Sequence, residues 1–326
     1  MAKGDTRRWT LALALVGLIH MAAGGNEPAT QPWKDRSPHE SKFINLRGLR
    51  FCYLDWGGKG QPLVFLAGQA CTPHLFDELA PRFRGTHRVL GFTRRGAGRS
   101  ERPVDGYDTK TLAEDVIAFL DAMKIERAVL VGHSLGGTEL SWIAAHHPQR
   151  VERLIFLDAA YDYTTAPADD GLPDVKTILL EVAAAKGSVE GFRGLLRKYM
   201  SEGYWSEAVE AEMREQVEVR PDGSVQVPDV MGWLRTFGAL SKGSVQWKPD
   251  YANLKHPTLA IYAIPAETDV TRNRLMEWKR KQIDNLRKSG RHVRIVEMKD
   301  TPHALFIRPG DLEVVTKEMK EFLALP

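Results

Sequence analysis

Short runs of consecutive apolar residues recur along the chain and predict the strands of a buried sheet. A parallel strand covered on both faces is apolar throughout rather than alternating in polarity. Two further runs, 43–46 and 49–54, flank Arg47 and Gly48 and predict a hairpin. The pattern therefore predicts eight strands, the other six at residues 63–66, 87–92, 128–131, 154–157, 258–264 and 293–298.

Segments with apolar residues at helical spacing lie between most of these runs. One helix is predicted from about residue 109, with Thr111 and Glu114 as its capping box. Strands that alternate with helices in this way predict an α/β fold, with a mostly parallel eight-stranded sheet covered by helices on both faces. Further helices are predicted over 134–147, 271–288 and 311–325.

The stretch 161–249 has a different pattern from its flanks. It contains amphipathic helical segments and no buried-strand run. We interpret it as a helical cap or lid inserted into a core formed by residues 42–160 and 250–326. The alternative is a second helical domain without a role at the functional site.

The N-terminus resembles a targeting segment. Arg7 and Arg8 precede the apolar run 9–19, and small residues follow at 22–25. Residues 1–25 are therefore predicted to be a signal peptide, followed by a linker over 26–41. An uncleaved anchor is the alternative, although the apolar run is short for a bilayer core of about 30 Å. The mature chain is predicted to be exported, either to the periplasm or to the exterior, without stable membrane insertion.

Composition changes this picture little. The chain has 326 residues, of which 43% are hydrophobic and 27% charged, with a net charge of +3. No block of like charges indicates a nucleic-acid partner. Cys52 and Cys71 have no metal-ligand spacing, and two separate thiols are preferred over a disulfide. No cofactor or metal is indicated, the expected partner is a small-molecule substrate, and the oligomeric state is left open.

Residues 132–136 read Gly-His-Ser-Leu-Gly and match the G-x-S-x-G pattern. The pentapeptide follows an apolar strand and opens a helix, which is the context that this motif requires. A sharp turn there would expose the hydroxyl of Ser134 at the sheet edge. Ser134 is therefore the predicted nucleophile.

Three further motifs give the chain a resemblance to the α/β-hydrolase family. Residues 66–69 (Leu-Ala-Gly-Gln) resemble its oxyanion loop, residues 93–100 resemble the following turn, and Pro302–His303 stand where the family keeps its catalytic histidine. The resemblance implies a serine hydrolase with His303 as base. It also implies that the backbone N–H groups of Gln69 and Leu135 stabilise the oxyanion.

The resemblance does not assign the acid uniquely. The family usually takes this residue from the loop after strand 258–264, where Asp269 and Glu267 lie. A minority of members use the end of the preceding strand, where this chain has Asp158. Asp269 is placed first, Asp158 is the alternative, and Glu267 is third.

The expected function is cleavage of an ester, less favourably an amide, through an acyl-enzyme on Ser134. Related folds that open epoxides or remove halides use Asp as nucleophile, which Ser134 disfavours. A carbon–carbon bond hydrolase, a lactonase, an acyltransferase and a non-catalytic ligand-binding protein remain as alternatives. Five apolar cap residues are expected to cover the substrate: Trp205, Met231, Trp233, Leu234 and Phe237.

Overall fold

The sheet has eight strands in the order β1-β2-β4-β3-β5-β6-β9-β10. A computed structural model describes residues 33–69, 71–167, 188–199, 203–220, 224–226, 229–264 and 272–326. The strands of this sheet are β1 (Glu40–Leu46), β2 (Leu49–Gly57), β3 (Gln61–Leu66), β4 (His87–Phe92), β5 (Ala128–His133), β6 (Val151–Leu157), β9 (Thr258–Ile264) and β10 (Val293–Lys299).

The strand pairing confirms the predicted mostly parallel sheet. β2 is antiparallel to both β1 and β4, and every other neighbouring pair is parallel. The predicted hairpin is also confirmed. Arg47 and Gly48 both have positive φ angles, 50° and 79°, as a two-residue hairpin turn of this hand requires. Because β1 begins at Glu40, the strand takes two residues from the predicted linker.

Helices follow the strands as the alternating pattern predicts. The predicted capping box is wrong in its first residue: the side chain of Asp108 accepts from the Thr111 amide and caps the helix. A stronger local acceptor one helical turn earlier therefore fixes this start. The helices of the core are α1 (Thr109–Ala122), α2 (Gly136–His146), α6 (Arg272–Arg287) and α7 (Pro309–Leu323).

The core consists of two apolar layers, one on each face of the sheet. Successive residues of a central strand contribute to opposite layers, as Leu130 and Val131 of β5 do. One layer contains residues of α1, α2 and α6, and the other contains residues of α7 and of the short 3-10 helix Pro73–Phe76. The two-sided burial explains why the strand sequences lack polar alternation.

The described part of the predicted cap is helical with one short ribbon. It contains α3 (Val189–Tyr199), α4 (Glu207–Gln216), the two-residue strands β7 (Glu218–Val219) and β8 (Val225–Gln226), and α5 (Val230–Ser244). Residues 168–187, where a further amphipathic helix was expected, lie outside the described residues. The two short strands are too brief to have an apolar signature in the sequence.

The predicted signal peptide, residues 1–25, also lies outside the described residues, and export stays a prediction. Within the part of the chain that the structure describes, no helix is long and apolar enough to cross a bilayer.

Cys52 and Cys71 are separate thiols. Burial raises the pKa of both.

Candidate active site

The pentapeptide at residues 132–136 forms a tight turn between β5 and α2. Ser134, at the point of this turn, has a φ of 52°, a strained value for a non-glycine residue. A Cβ on Gly136 would lie 2.6 Å from the Leu66 carbonyl oxygen, and one on Gly137 would lie 2.1 Å from that of Ala159. Only glycine permits these approaches. The turn presents Ser134 beyond the carboxyl end of β5, as the motif predicts.

His303 lies in the loop between β10 and α7. Its Nδ1 is 2.6 Å from Oδ2 of Asp158, which immediately follows β6. The Asp158 side chain is fully buried, whereas that of His303 is 52% exposed. Asp158 has a φ of 48°, and its amide donates to the Ile261 carbonyl at 2.7 Å. The carboxylate is therefore held rigidly at the strand end while the imidazole faces outward.

The Asp158 carboxylate accepts hydrogen bonds from three further donors. These are the Tyr161 hydroxyl, the Ala263 amide at 3.1 Å and the Lys279 ammonium at 2.9 Å. Burial alone would raise the pKa of Asp158, but the Lys279 charge and the His303 hydrogen bond hold this pKa well below its usual range. Asp158 is consequently ionised at neutral pH.

This geometry reorders the candidates for the acid. Asp269, placed first by the sequence analysis, and Glu267 lie outside the described residues. The carboxylate that contacts His303 is that of Asp158, the alternative. Strand β9 ends in Ala263-Ile264, and the sequence continues with Pro265, without the glycine that usually precedes the acid in this family. That departure was the signal in favour of Asp158.

The two predicted oxyanion donors flank the nucleophile. Gly68, which precedes Gln69, approaches Ser134 so closely that an added Cβ would lie 3.1 Å from the serine Cβ. Leu135 is the N-cap of α2. Amides at the start of a helix have no intrahelical partner and are therefore free to bind an anion. The backbone thus brings both segments to the nucleophile.

A buried ion pair fixes the oxyanion loop. Arg94 binds both carboxylate oxygens of Glu139 at 2.8 and 2.9 Å. The same guanidinium donates to the carbonyls of Gly68 at 2.7 Å and Ala67 at 2.9 Å. Since Glu139 lies in the first turn of α2, one side chain couples the nucleophile helix to the loop opposite. The turn that contains Arg94 is recognisable in the sequence, but its motif assigns this arginine no role.

His133, interpreted as structural from the sequence, contacts the backbone of the predicted base. Its Nε2 lies 3.1 Å from the His303 carbonyl oxygen. Burial, followed by the proximity of His303, lowers the pKa of His133 to about 3. The ring is therefore neutral at pH 7, and the proton must reside on Nε2 for this contact to be a hydrogen bond. His133 thus holds the loop that carries His303.

Tyr163 is a second residue that sequence reasoning missed. Burial raises the pKa of Tyr163, and the nearby Ser134 side chain opposes that rise. The phenol of Tyr163 therefore lies near the candidate nucleophile. No motif contains Tyr163 or Lys279, so the sequence offered no signal for either.

Helix α5 of the cap contacts the oxyanion loop directly. The Gln69 side-chain amide donates to the Phe237 carbonyl at 3.1 Å and to the Ser241 hydroxyl at 2.7 Å. The rings of Trp233 and Phe237 stack at 6.3 Å, and both side chains are buried. This part of the cap therefore lies against the candidate site.

Of the other three apolar cap residues that were expected to cover the substrate, the structure describes only the side chain of Trp205. The side chains of Met231 and Leu234 lie outside the described residues. The Trp205 indole donates to Glu210 at 3.1 Å and packs at the margin of one core layer. Trp205 thus contributes to the packing of the cap on the core.

These features agree with the comparison to known families. A model of the α/β hydrolase fold matches residues 61–266, more than half of the chain. The chain belongs to the α/β-hydrolase family.

Similar proteins include several enzymes of this family. The AB hydrolase superfamily protein YisY of Bacillus subtilis (strain 168) is 38% identical over 32% of this chain and 39% of its own length. The 2-hydroxymuconate semialdehyde hydrolase of Pseudomonas sp. (strain CF600) is 28% identical over 74% of this chain and 83% of its own length. The chain thus spans about two fifths of YisY and most of the second relative.

The fold is also similar to solved structures. That of E-2-(acetamidomethylene)succinate hydrolase superposes with a TM-score of 0.66 at 17% identity, covering 88% of this chain and all of the other. At this identity the likeness shows the fold.

Proposed function

We propose that this chain is a serine hydrolase that cleaves an ester of a small molecule through an acyl-enzyme on Ser134. The observation that carries the proposal is the 2.6 Å contact between His303 Nδ1 and the buried carboxylate of Asp158. This contact fixes the neutral tautomer with its proton on Nδ1. Nε2 of the same ring is then the unprotonated nitrogen that can accept a proton from the nucleophile.

The first half of the proposed reaction forms the acyl-enzyme. His303 Nε2 removes the proton from the Ser134 hydroxyl as its oxygen attacks the ester carbonyl. The backbone N–H groups of Gln69 and Leu135 stabilise the resulting oxyanion. Asp158 stabilises the imidazolium and remains ionised. The imidazolium then returns its proton to the departing alcohol oxygen, and the carbon–oxygen bond of the ester breaks.

The second half regenerates the enzyme. His303 takes a proton from a water molecule, whose oxygen attacks the acyl carbonyl. The second tetrahedral intermediate collapses, Ser134 recovers its proton from the imidazolium, and the carboxylic acid leaves. No group other than side chains, backbone amides and water is needed in this sequence.

The Ser134→Ala variant tests the proposal. We expect it to lose about 10⁶ in kcat towards short p-nitrophenyl esters, since the nucleophile and its base act as a unit. A fluorophosphonate probe should label the wild-type chain and leave Ser134→Ala unlabelled. Both readouts require only the purified chain.

Ser141→Ala is the matched control, because Ser141 lies in the same helix and bonds only within the fold, to the Thr138 carbonyl and the Trp247 indole. It should keep its labelling. Labelling that persists in Ser134→Ala would remove this serine from the mechanism. A wild-type chain that neither turns over esters nor reacts with the probe would favour the non-catalytic binding protein.

A further inference from the structure

Four potential metal ligands from two separate segments meet away from the candidate active site. Asp35 and His39 precede β1, and His74 and Asp77 belong to the segment around the 3-10 helix Pro73–Phe76. One ligand atom from each residue can be chosen so that all four lie within 4.8 Å of one another. The side chains of His39, His74 and Asp77 are buried.

The contacts within this cluster alternate between imidazole and carboxylate. Asp77 binds Nδ1 of His39 through one oxygen and Nδ1 of His74 through the other, each at 2.9 Å. Oδ2 of Asp35 lies 3.4 Å from His39 Nε2 and 3.7 Å from His74 Nδ1. With neutral imidazoles the cluster carries two negative charges in a largely buried place, which a divalent cation would balance.

A buried nitrogen beside the cluster supplies an independent indication. Among the residues that the structure describes, Nε2 of His74 has no hydrogen-bond partner, and it lies 3.7 Å from Oε2 of Glu215. If Nδ1 of His74 donates to Asp77 in the neutral ring, Nε2 carries no proton and directs its lone pair towards the Glu215 carboxylate. A metal ion on Nδ1 would instead place the proton on Nε2, facing Glu215. Metal-bound histidines commonly donate their second N–H to a carboxylate in this way.

The outer contacts of the cluster fit the same interpretation. The Trp56 indole donates to Oδ1 of Asp77 at 2.9 Å, which orients the carboxylate. A tetrahedron with metal–ligand bonds of about 2.0–2.1 Å places its ligand atoms roughly 3.4 Å apart. The ligand atoms at the 4.8 Å limit would therefore move inward by about 1 Å or less, and the 2.9 Å contact between His74 Nδ1 and Asp77 Oδ2 would widen.

We propose that Asp35, His39, His74 and Asp77 bind one Zn²⁺ ion in a structural site. Four protein ligands of imidazole and carboxylate type complete a tetrahedral shell and leave no position for substrate. The ion would join the segment before β1 to the 3-10 helix that follows the oxyanion loop. The cysteine spacing indicated no metal, and Asp35 and His39 lie in the predicted linker, where no ligand spacing was sought.

Zinc binding by the chelator-treated full chain tests the proposal. We expect calorimetry to give one Zn²⁺ per chain with submicromolar affinity. We also expect Tm to rise on zinc addition, because binding to the folded state alone stabilises it. Co²⁺ in place of Zn²⁺ should give the visible absorption of a tetrahedral ion. None of these readouts depends on the proposed esterase activity.

Variants locate the site. Asp35 and His39 lie before β1, at the edge of the fold. The variants Asp35→Asn and His39→Gln should each weaken zinc binding at least tenfold and reduce the rise in Tm. The control is His147→Gln, which removes a histidine 3.1 Å from the Glu114 carboxylate elsewhere on the chain. It should bind zinc as the wild type does.

Two results would overturn the proposal. If zinc at about a hundredfold excess neither binds nor changes Tm, the cluster is held by protons alone. If Asp35→Asn and His39→Gln bind zinc as tightly as the wild type, the ion binds at another place.

Discussion

At the scale of single residues, the surroundings of Asp158 determine how the candidate base is oriented. Its carboxylate contacts the imidazole of His303 and, on the other side, the ammonium of Lys279, which also donates to the Ala263 carbonyl at 3.1 Å. A buried carboxylate without a cation is costly. Lys279 therefore makes it possible to bury Asp158 fully, and it shares the negative charge of Asp158 with the candidate base.

Asp158→Asn should lower kcat about 10⁴-fold, because an amide keeps the shape but favours the wrong tautomer of His303. The matched control is Asp269→Asn, which should lose less than about tenfold. Both are measured with p-nitrophenyl acetate at pH 7 and above pH 9. The opposite ranking of the two variants would return the acid to the loop after β9.

Lys279→Met in the same series should retain more activity than Asp158→Asn, since Asp158 still contacts His303. Without the competing cation, Asp158 stabilises the imidazolium more strongly. The acid limb of the kcat/KM profile should therefore move to higher pH. A purely structural lysine would lower Tm without moving this limb.

Some of these residues were accessible from sequence and others were not. Ser134 was predicted because strand, turn and helix around it are local in the chain, and the position of His303 followed from the family resemblance. Asp158 and Lys279 are 121 residues apart, and their contact depends on how α6 packs against the sheet. Periodicity carries no information on such a pairing.

At the scale of elements, α4 docks on the core through a buried carboxylate. Glu212 accepts from the amide of Thr72 at 3.0 Å and also contacts its hydroxyl. Gln216 donates to the same carboxylate at 2.7 Å. Burial raises the pKa of Glu212 to about 7, although these hydrogen bonds lower it. The cap is thus attached to the segment after the oxyanion loop by a group that titrates near neutrality.

The stabilising contribution of Glu212 should consequently fall as pH rises. Glu212 has a higher pKa in the folded state than its usual value of 4.5. Its stabilising contribution is complete below about pH 4.5 and is lost as pH rises through 7. Between pH 5 and pH 8 Glu212 by itself should lower the free energy of unfolding by on the order of 2 kcal/mol, whereas His133, whose folded-state pKa is lowered, contributes a change of opposite sign. Urea unfolding at a series of pH values measures this slope.

Glu212→Gln should remove this falling contribution, so its free energy of unfolding should change more positively with pH than that of the wild type. Glu210→Gln is the control on the same helix, because ion pairs with Arg193 and Arg214 lower the pKa of Glu210 and keep it ionised. It should lower stability without changing the slope. An unchanged slope in Glu212→Gln would assign the pH dependence to another group.

The elements themselves were largely predictable. All eight strands of the sheet were predicted from apolar runs; burial on both faces explains these runs in the inner strands, whereas the edge strands β1 and β10 are only partly buried. The start of β1 at Glu40 was not predictable, because residues such as Lys42 are polar at this half-exposed edge of the sheet. The ribbon of β7 and β8 is two residues long on each side and has no measurable period.

At the scale of the whole molecule, helix α5 joins the cap to the catalytic half of the fold. The side chain of Gln69, whose backbone N–H is a proposed oxyanion donor, donates hydrogen bonds to two groups of this helix. A cap attached at this point can shape the acyl pocket and exclude water from it. The same buried aromatic residues could instead serve only to pack the insertion, so substrate preference must be measured separately from stability.

Trp233→Ala should change substrate preference more than stability. Removing the indole enlarges the space beside Phe237, whose carbonyl contacts Gln69, so kcat/KM for octanoyl relative to acetyl p-nitrophenyl ester should rise about tenfold. That change corresponds to the 1–3 kcal/mol typical of small changes in an apolar pocket. The control is Trp142→Ala, which removes an equally buried indole from α2, where it stacks on His146 at 4.1 Å. This control should lower Tm by more than Trp233→Ala and leave the ester ratio unchanged, because its cavity opens in the core. Equal losses of Tm with an unchanged ratio in both variants would mean that Trp233 only packs the cap.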